Sequence, residues 1–180
     1  MNFQFSEEAE ALRDEARKFL VAESGREKAR AVMNGDSTHD AELWSRIAEL
    51  GWTGLRIPEE HGGLGLSVLE LCVLAEEVGR ALSPVPFTSS VLMATELLLA
   101  SGHDGAQAQW LPKLADGSAI GTVGLMEGGA TRPDGLPRLA CSGDRLTGNK
   151  LPVADGLAAH FAIVSAHDEA GALVLALADL

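Results

Sequence analysis

Apolar residues recur every three or four positions through the first two thirds of the chain, then give way to short runs broken by turns. Ala9, Leu12, Ala16, Phe19 and Leu20 share one helical face, with Ser6 placed as an N-cap and Glu7 and Glu8 in the first turn, where carboxylates favour the helix dipole. Leu43, Trp44, Ile47 and Leu50 repeat that spacing in a second helix, opened by Asp40 and stopped by Gly51. Ser67 and Glu70 form a capping box for a third helix, which turns Leu71, Leu74, Ala75 and Val78 inward and runs to about Gly79. Between the second and third helices, the short apolar piece from Trp52 to Ile57 meets Pro58 and then His61-Gly62-Gly63-Leu64-Gly65, which enforces a shaped loop. The stiff Ser83-Pro84-Val85-Pro86 segment ends the third helix. Thr88, Ser89 or Ser90 is expected to cap the next one, up to Ser101-Gly102, and Ala106 to Leu111 predicts a short helix ended by Pro112.

From Ala119 the period changes. Residues 119–126, 138–142, 145–153, 160–165 and 172–177 are short runs separated by glycine, proline and aspartate turns, the rhythm of antiparallel strands. The predicted fold class is α+β. An all-α helical domain at residues 1–117 precedes a partial, antiparallel, β-barrel-like domain at residues 118–180. The last run reaches Leu180 with no polar tail, so its open apolar edge is expected to be covered by something else.

Charge narrows the function classes. The 180 residues hold 26 acidic and 14 basic side chains, a net charge of −12, which disfavours a surface that must neutralise nucleic-acid phosphates. Only Cys72 and Cys141 are present, so neither a disulfide framework nor a four-cysteine zinc site is available. The first twenty residues lack the basic and apolar regions of a signal peptide, and no apolar stretch nears the roughly 20 residues that span a bilayer. A cytoplasmic protein with no membrane span is expected.

Candidate chemistry is sparse. Gly62-Gly63-Leu64-Gly65 before a helix could cradle a phosphate, but it lacks both the dinucleotide spacing and the P-loop lysine, and a structural turn is favoured about three to one. His39, His61, His103, His160 and His167 show no metal-ligand spacing on one helix, so no metal is expected. Cys72 lies near the predicted buried face of the third helix, where a thiol acts as a small hydrophobe. Glu127, at the end of an apolar strand beside Gly128 and Gly129, is either a base in a cleft or part of a surface turn. The hydroxyls between Pro86 and Ser90 are read as caps rather than as a pocket lining.

At these same positions the chain resembles the acyl-CoA dehydrogenase family, flavoenzymes that oxidise the Cα–Cβ bond of acyl-CoA thioesters. Five motifs carry the resemblance in order: Leu-Arg-Asp-Glu-Ala-Arg-Lys-Phe-Leu at residues 12–20; Leu50-Gly51-Trp52 leading to residues 58–66; Ala75-Glu76-Glu77-Val78-Gly79-Arg80; residues 110–117 from Trp110; and Gly148-Asn149-Lys150. The resemblance implies a helical domain, a middle β domain and a C-terminal helical bundle, of which these residues supply the first and part of the second. It places the catalytic carboxylate in that bundle, so no catalytic residue is expected here, Glu127 included, and the 180 residues alone are not expected to be active.

The resemblance also implies FAD as cofactor, an acyl-CoA substrate and an electron-transfer flavoprotein as acceptor, in a homo- or hetero-oligomer serving fatty acid β-oxidation or sterol catabolism. Two stretches correspond to those that meet the flavin ring in the family. The first runs from Val123 through Leu125, Met126, Glu127 and Gly129 to Arg132; the second runs from Gly148 through Lys150, Pro152, Val153 and Ala154 to Gly156. The cofactor-binding positions implied are Leu125, Met126, Val153 and Ala154, acting through backbone amides. Two threonine positions of the family are Met126 and Ala154 here, and the aromatic position is Pro152. Losing two side-chain donors weakens a ligand by about 0.5–1.5 kcal/mol each. A second reading follows from those changes: a non-catalytic structural subunit of a heteromeric acyl-CoA dehydrogenase in lipid or sterol catabolism.

Overall fold

A computed structural model describes residues 5–35, 37–129 and 135–180. Ala130, Thr131 and Arg132, at the end of the stretch that begins at Val123, lie outside the described residues. Among the described residues, six α-helices and five strands follow in chain order: α1 (Glu7–Glu23), α2 (Arg26–Met33), α3 (Ala41–Glu49), α4 (Val68–Arg80), α5 (Thr95–Ala100), α6 (Asp104–Ala115), β1 (Gly121–Gly124), β2 (Ala140–Ser142), β3 (Arg145–Thr147), β4 (Phe161–His167) and β5 (Leu173–Asp179).

The caps expected for α1, α3 and α4 are present. Ser6 Oγ accepts the Ala9 amide at 3.2 Å, Asp40 Oδ1 accepts the Leu43 amide at 3.0 Å, and Ser67 with Glu70 completes the capping box. Helix α2 was not foreseen: Arg26–Met33 is eight residues long and buries none of them, and its apolar side is confined to Ala29, Val32 and Met33. Cys72 is exposed, contrary to the expectation, since the inward face of α4 is set by Leu71, Leu74 and Val78 with Val73 and Glu77. Glu77 is a buried acid. Its carboxylate is clasped by Arg17, at 2.6 Å and 3.1 Å, and by Arg80 at 3.1 Å, which ties α1 to α4.

Two helix boundaries depart from the pattern. Pro112 does not end α6, which continues to Ala115 because its last turn buries Leu111, Leu114 and Ala115 in the core. The hydroxyls at Thr88 to Ser90 do not cap the next helix; the chain leaves Pro86 as a π-helical segment, Phe87–Ala94, with no side-chain cap. Ser89 instead donates to Asp155 Oδ2 at 2.5 Å, and Ser90 Oγ accepts the Gly121 amide at 3.1 Å. These hydroxyls join the helical part to the strands.

The α+β class holds, with helices preceding strands, but the sheet is mixed rather than antiparallel. β1 pairs with β4 in parallel from Gly121↔Phe161 to Gly124↔Val164, and β2 touches β4 in parallel at Ala140↔His167. β2–β3 and β4–β5 are antiparallel. The reason is topological. The β2–β3 hairpin lies between β1 and β4 in sequence, so the chain returns to enter β4 in the direction of β1. β4 is buried along Phe161 to Ala166, as a strand flanked on both sides must be. Helices and sheet share one core, in which Trp110 and Phe161 approach to 4.4 Å between ring centroids and Leu98, Leu111 and Leu114 pack with Val123 and Ile163.

Candidate functional site

The two stretches singled out from sequence are brought side by side. β1 ends at Gly124 and the chain emerges through Leu125, Met126 and Glu127; residues 150–155 run alongside, with the Leu151 amide donating to the Met126 carbonyl at 2.9 Å. Thr122 Oγ1 donates to the Ala154 carbonyl at 2.5 Å, a second tie. Leu125, Met126, Leu151 and Ala154 are exposed, and Val153 is half-buried. Among the described residues, the Met126 and Ala154 amides donate to no protein group. An exposed main chain with open donors can therefore receive a planar ligand with acceptor atoms along one edge.

A buried charge pair lies beneath this surface. Lys150, only 4% exposed at its side chain, donates to Glu127 Oε1 at 2.6 Å and to Ser165 Oγ at 2.9 Å. Ser165 Oγ donates in turn to the Leu125 carbonyl at 3.2 Å. Glu127 also accepts the Arg138 amide at 2.6 Å and the Leu139 amide at 2.9 Å. Burial pushes its carboxyl up, yet the Lys150 hydrogen bond and the two amides outweigh that and hold it down at about 2. Glu127 is therefore an ionised strut, not a base waiting in a cleft. A cleft of about 420 Å³ opens beside it between Leu125, Met126, Arg138 and Leu173, and another of about 430 Å³ lies on the far side of Lys150, beside Thr38, Val153 and Leu157.

The glycine loop is spent on its own fold. Leu64, Gly65 and Leu66 donate their amides to Gly54, Ile57 and Leu55 at 3.0, 2.9 and 2.8 Å. A Cβ on Gly63 would stand 2.0 Å from the Ile57 carbonyl oxygen, so glycine is demanded there by close backbone packing. The structural turn is the reading the geometry favours over the phosphate cradle. Among the described residues, no three His, Cys, Asp or Glu side chains gather where they could hold a metal ion.

Residues 6–118 match the acyl-CoA dehydrogenase N-terminal domain. The chain belongs to the acyl-CoA dehydrogenase family. A curated relative, acyl-CoA dehydrogenase IpdE2 of Mycobacterium tuberculosis, is 38% identical over 120 residues, 66% of this chain and 37% of the relative. Among solved structures, the Tcur3481-Tcur3483 steroid ACAD (G363A variant) superposes with a TM-score of 0.83 at 33% identity, over 96% of this chain and 48% of that one. The ChsE4-ChsE5 complex from Mycobacterium tuberculosis gives a TM-score of 0.85 at 28% identity, over 99% of this chain and 49% of that one. The 180 residues thus span about half, or less, of the length of these relatives. No described helix is long and apolar enough to cross a membrane.

Sequence reasoning missed the Lys150–Glu127–Ser165 cluster as a physical unit. Its three members lie on a turn, a loop and a strand, and no spacing rule links them. A lone lysine after Gly148-Asn149, inside an apolar stretch, was the signal that it would need a buried partner.

Proposed function

We propose that this chain forms the helical domain, residues 1–117, and part of the β domain, residues 118–180, of an FAD-dependent acyl-CoA dehydrogenase that oxidises an acyl-CoA thioester at Cα–Cβ and passes electrons to an electron-transfer flavoprotein. The observation that carries this reading is the juxtaposition of Met126 with Leu151 and of Thr122 with Ala154, which sets two exposed residues with unbonded amides, Met126 and Ala154, on adjoining stretches. The residues fit a flavin through main-chain donors, while the side chains of Met126 and Ala154 add none. Bound FAD would supply the hydride acceptor. This chain's own part is to bind and orient: Leu125, Met126, Val153 and Ala154 present one edge of the site, and the helices shape a wall beside it. Glu127 is engaged with Lys150 and two amides and is not assigned as the proton acceptor for the substrate.

The Met126, Pro152 and Ala154 replacements favour a second reading. In it the chain is the non-catalytic subunit of a hetero-oligomeric dehydrogenase, supported by its likeness to the ChsE4-ChsE5 complex. Reconstitution separates the two. Under the first reading, the full-length protein retains FAD after desalting, and acyl-CoA bleaches its visible band. A protein that stays colourless after reconstitution, yet co-purifies with a flavin-bearing dehydrogenase in fixed ratio, supports the second and sinks the first.

A further inference from the structure

We infer that Lys150 is a positioning residue: through Glu127 and Ser165 it fixes the turn at residues 125–127 against the stretch at 150–154, so that both can address one flavin at once. The inference rests on the flavin reading above and goes beyond it, because the Lys150 side chain is only 4% exposed and acts through the residues it holds. Its ammonium has three protons, and two of them are committed, to Glu127 Oε1 at 2.6 Å and to Ser165 Oγ at 2.9 Å. Each partner reaches a different piece of the site. Ser165 sits on β4 and donates to the Leu125 carbonyl at 3.2 Å; Glu127 belongs to the first stretch and grips the backbone entering β2 through the Arg138 and Leu139 amides. Lys150 itself immediately precedes Leu151, whose amide bonds the Met126 carbonyl.

One buried cation thus links the exit of β1, the approach to β2, the centre of β4 and the second stretch. Backbone donors are useful to a rigid ring only if their separation is fixed, and a charge-assisted network among largely buried side chains adds to the Leu151–Met126 and Thr122–Ala154 bonds in fixing it. Gly124 makes the close approach possible. A Cβ there would come within 3.2 Å of Lys150 Cβ and Cγ, so glycine lets the lysine stem lie against the strand end.

The test uses the full-length protein and compares FAD affinity, by quenching of flavin fluorescence, with the melting temperature of the flavin-free form. Lys150→Met is expected to lower both, because it strands the Glu127 carboxylate. The double variant Lys150→Met with Glu127→Gln removes the stranded charge; it is expected to recover most of the melting temperature while FAD still binds at least tenfold more weakly, with an altered circular-dichroism band of the bound flavin. Ser165→Ala, which leaves the ion pair intact, is expected to weaken FAD several-fold with little change in melting. A double variant that binds FAD as the wild type does, with the same flavin spectrum, overturns the positioning role and leaves the flavin reading standing. A wild-type protein that binds no FAD overturns both.

Discussion

Replacing Gly63 by alanine tests whether the glycine loop is architecture or a ligand cradle. The added methyl would lie 2.0 Å from the Ile57 carbonyl oxygen and 2.6 Å from that of Gly54, both backbone atoms that cannot swing aside. Those two oxygens are the acceptors of the Gly65 and Leu64 amides, so relieving the clash costs at least two hydrogen bonds and disturbs the Leu66–Leu55 bond beside them. At about 0.5–1.5 kcal/mol per bond, the loss over the three bonds is about 1.5–4.5 kcal/mol. Alanine also restricts the unfolded chain, which returns about 0.4–1 kcal/mol. The net destabilisation is therefore about 0.5–4 kcal/mol. Gly62→Ala is the control: with φ at +83° and no atom within 4 Å, it carries only the left-handed cost of about 1–2 kcal/mol, less the same return. Urea unfolding monitored by tryptophan fluorescence should place the Gly63→Ala midpoint clearly below that of Gly62→Ala at unchanged slope. A Gly63→Ala protein as stable as Gly62→Ala would refute the close-packing argument and reopen the loop as a binding element.

Other expectations follow from the same geometry. Phe161→Ala, at a fully buried ring stacked on Trp110, should cost about 3–5 kcal/mol in denaturant unfolding. Glu127 has its carboxyl held at about 2, below the ordinary 4.5, so its stabilisation is complete above pH 4.5 and lost as pH falls towards 2; Glu127→Gln should flatten the acid limb of the melting-temperature profile in that window. The Arg17 hydrogen bond likewise lowers the Glu77 carboxyl, and Glu77→Gln should remove pH dependence that sets in as pH drops through the ordinary carboxylate range. Restoring hydroxyls with Met126→Thr and Ala154→Thr should tighten FAD binding roughly 5- to 150-fold, from two added hydrogen bonds of about 0.5–1.5 kcal/mol each, as read by equilibrium titration.

Most of the local structure was legible because its causes are local. Ser6, Asp40 and the Ser67–Glu70 pair cap the helices they open, and Gly51, at φ +76°, stops α3 where the apolar repeat ends. What escaped reading depends on contacts far apart in sequence. Helix α2 is short, and its apolar side, Ala29, Val32 and Met33, is too brief to stand out as a repeat. Pro112 is carried inside α6 by the burial of its neighbours, which overrides the local penalty of a missing amide. Strand direction was misread because period-two runs say nothing about which strand pairs with which, and β4 pairs in parallel with β1, a strand about 40 residues earlier, across the intervening β2–β3 hairpin. Ser89 and Ser90 look like caps in sequence, yet bond to Asp155 and Gly121, 66 and 31 residues away. At the candidate site, residues 125–127 and 150–154 were legible only through family resemblance. Their adjacency and the Lys150 strut beneath them required the fold.

The decisive experiment for main-chain donation from Met126 and Ala154 to a flavin is an experimental structure of the full-length protein with FAD. The isoalloxazine edge is expected within hydrogen-bond distance of the Met126 and Ala154 amides, with Lys150 still bridging Glu127 and Ser165. A flavin bound elsewhere, or a fully saturated sample with these amides facing only solvent, would contradict it.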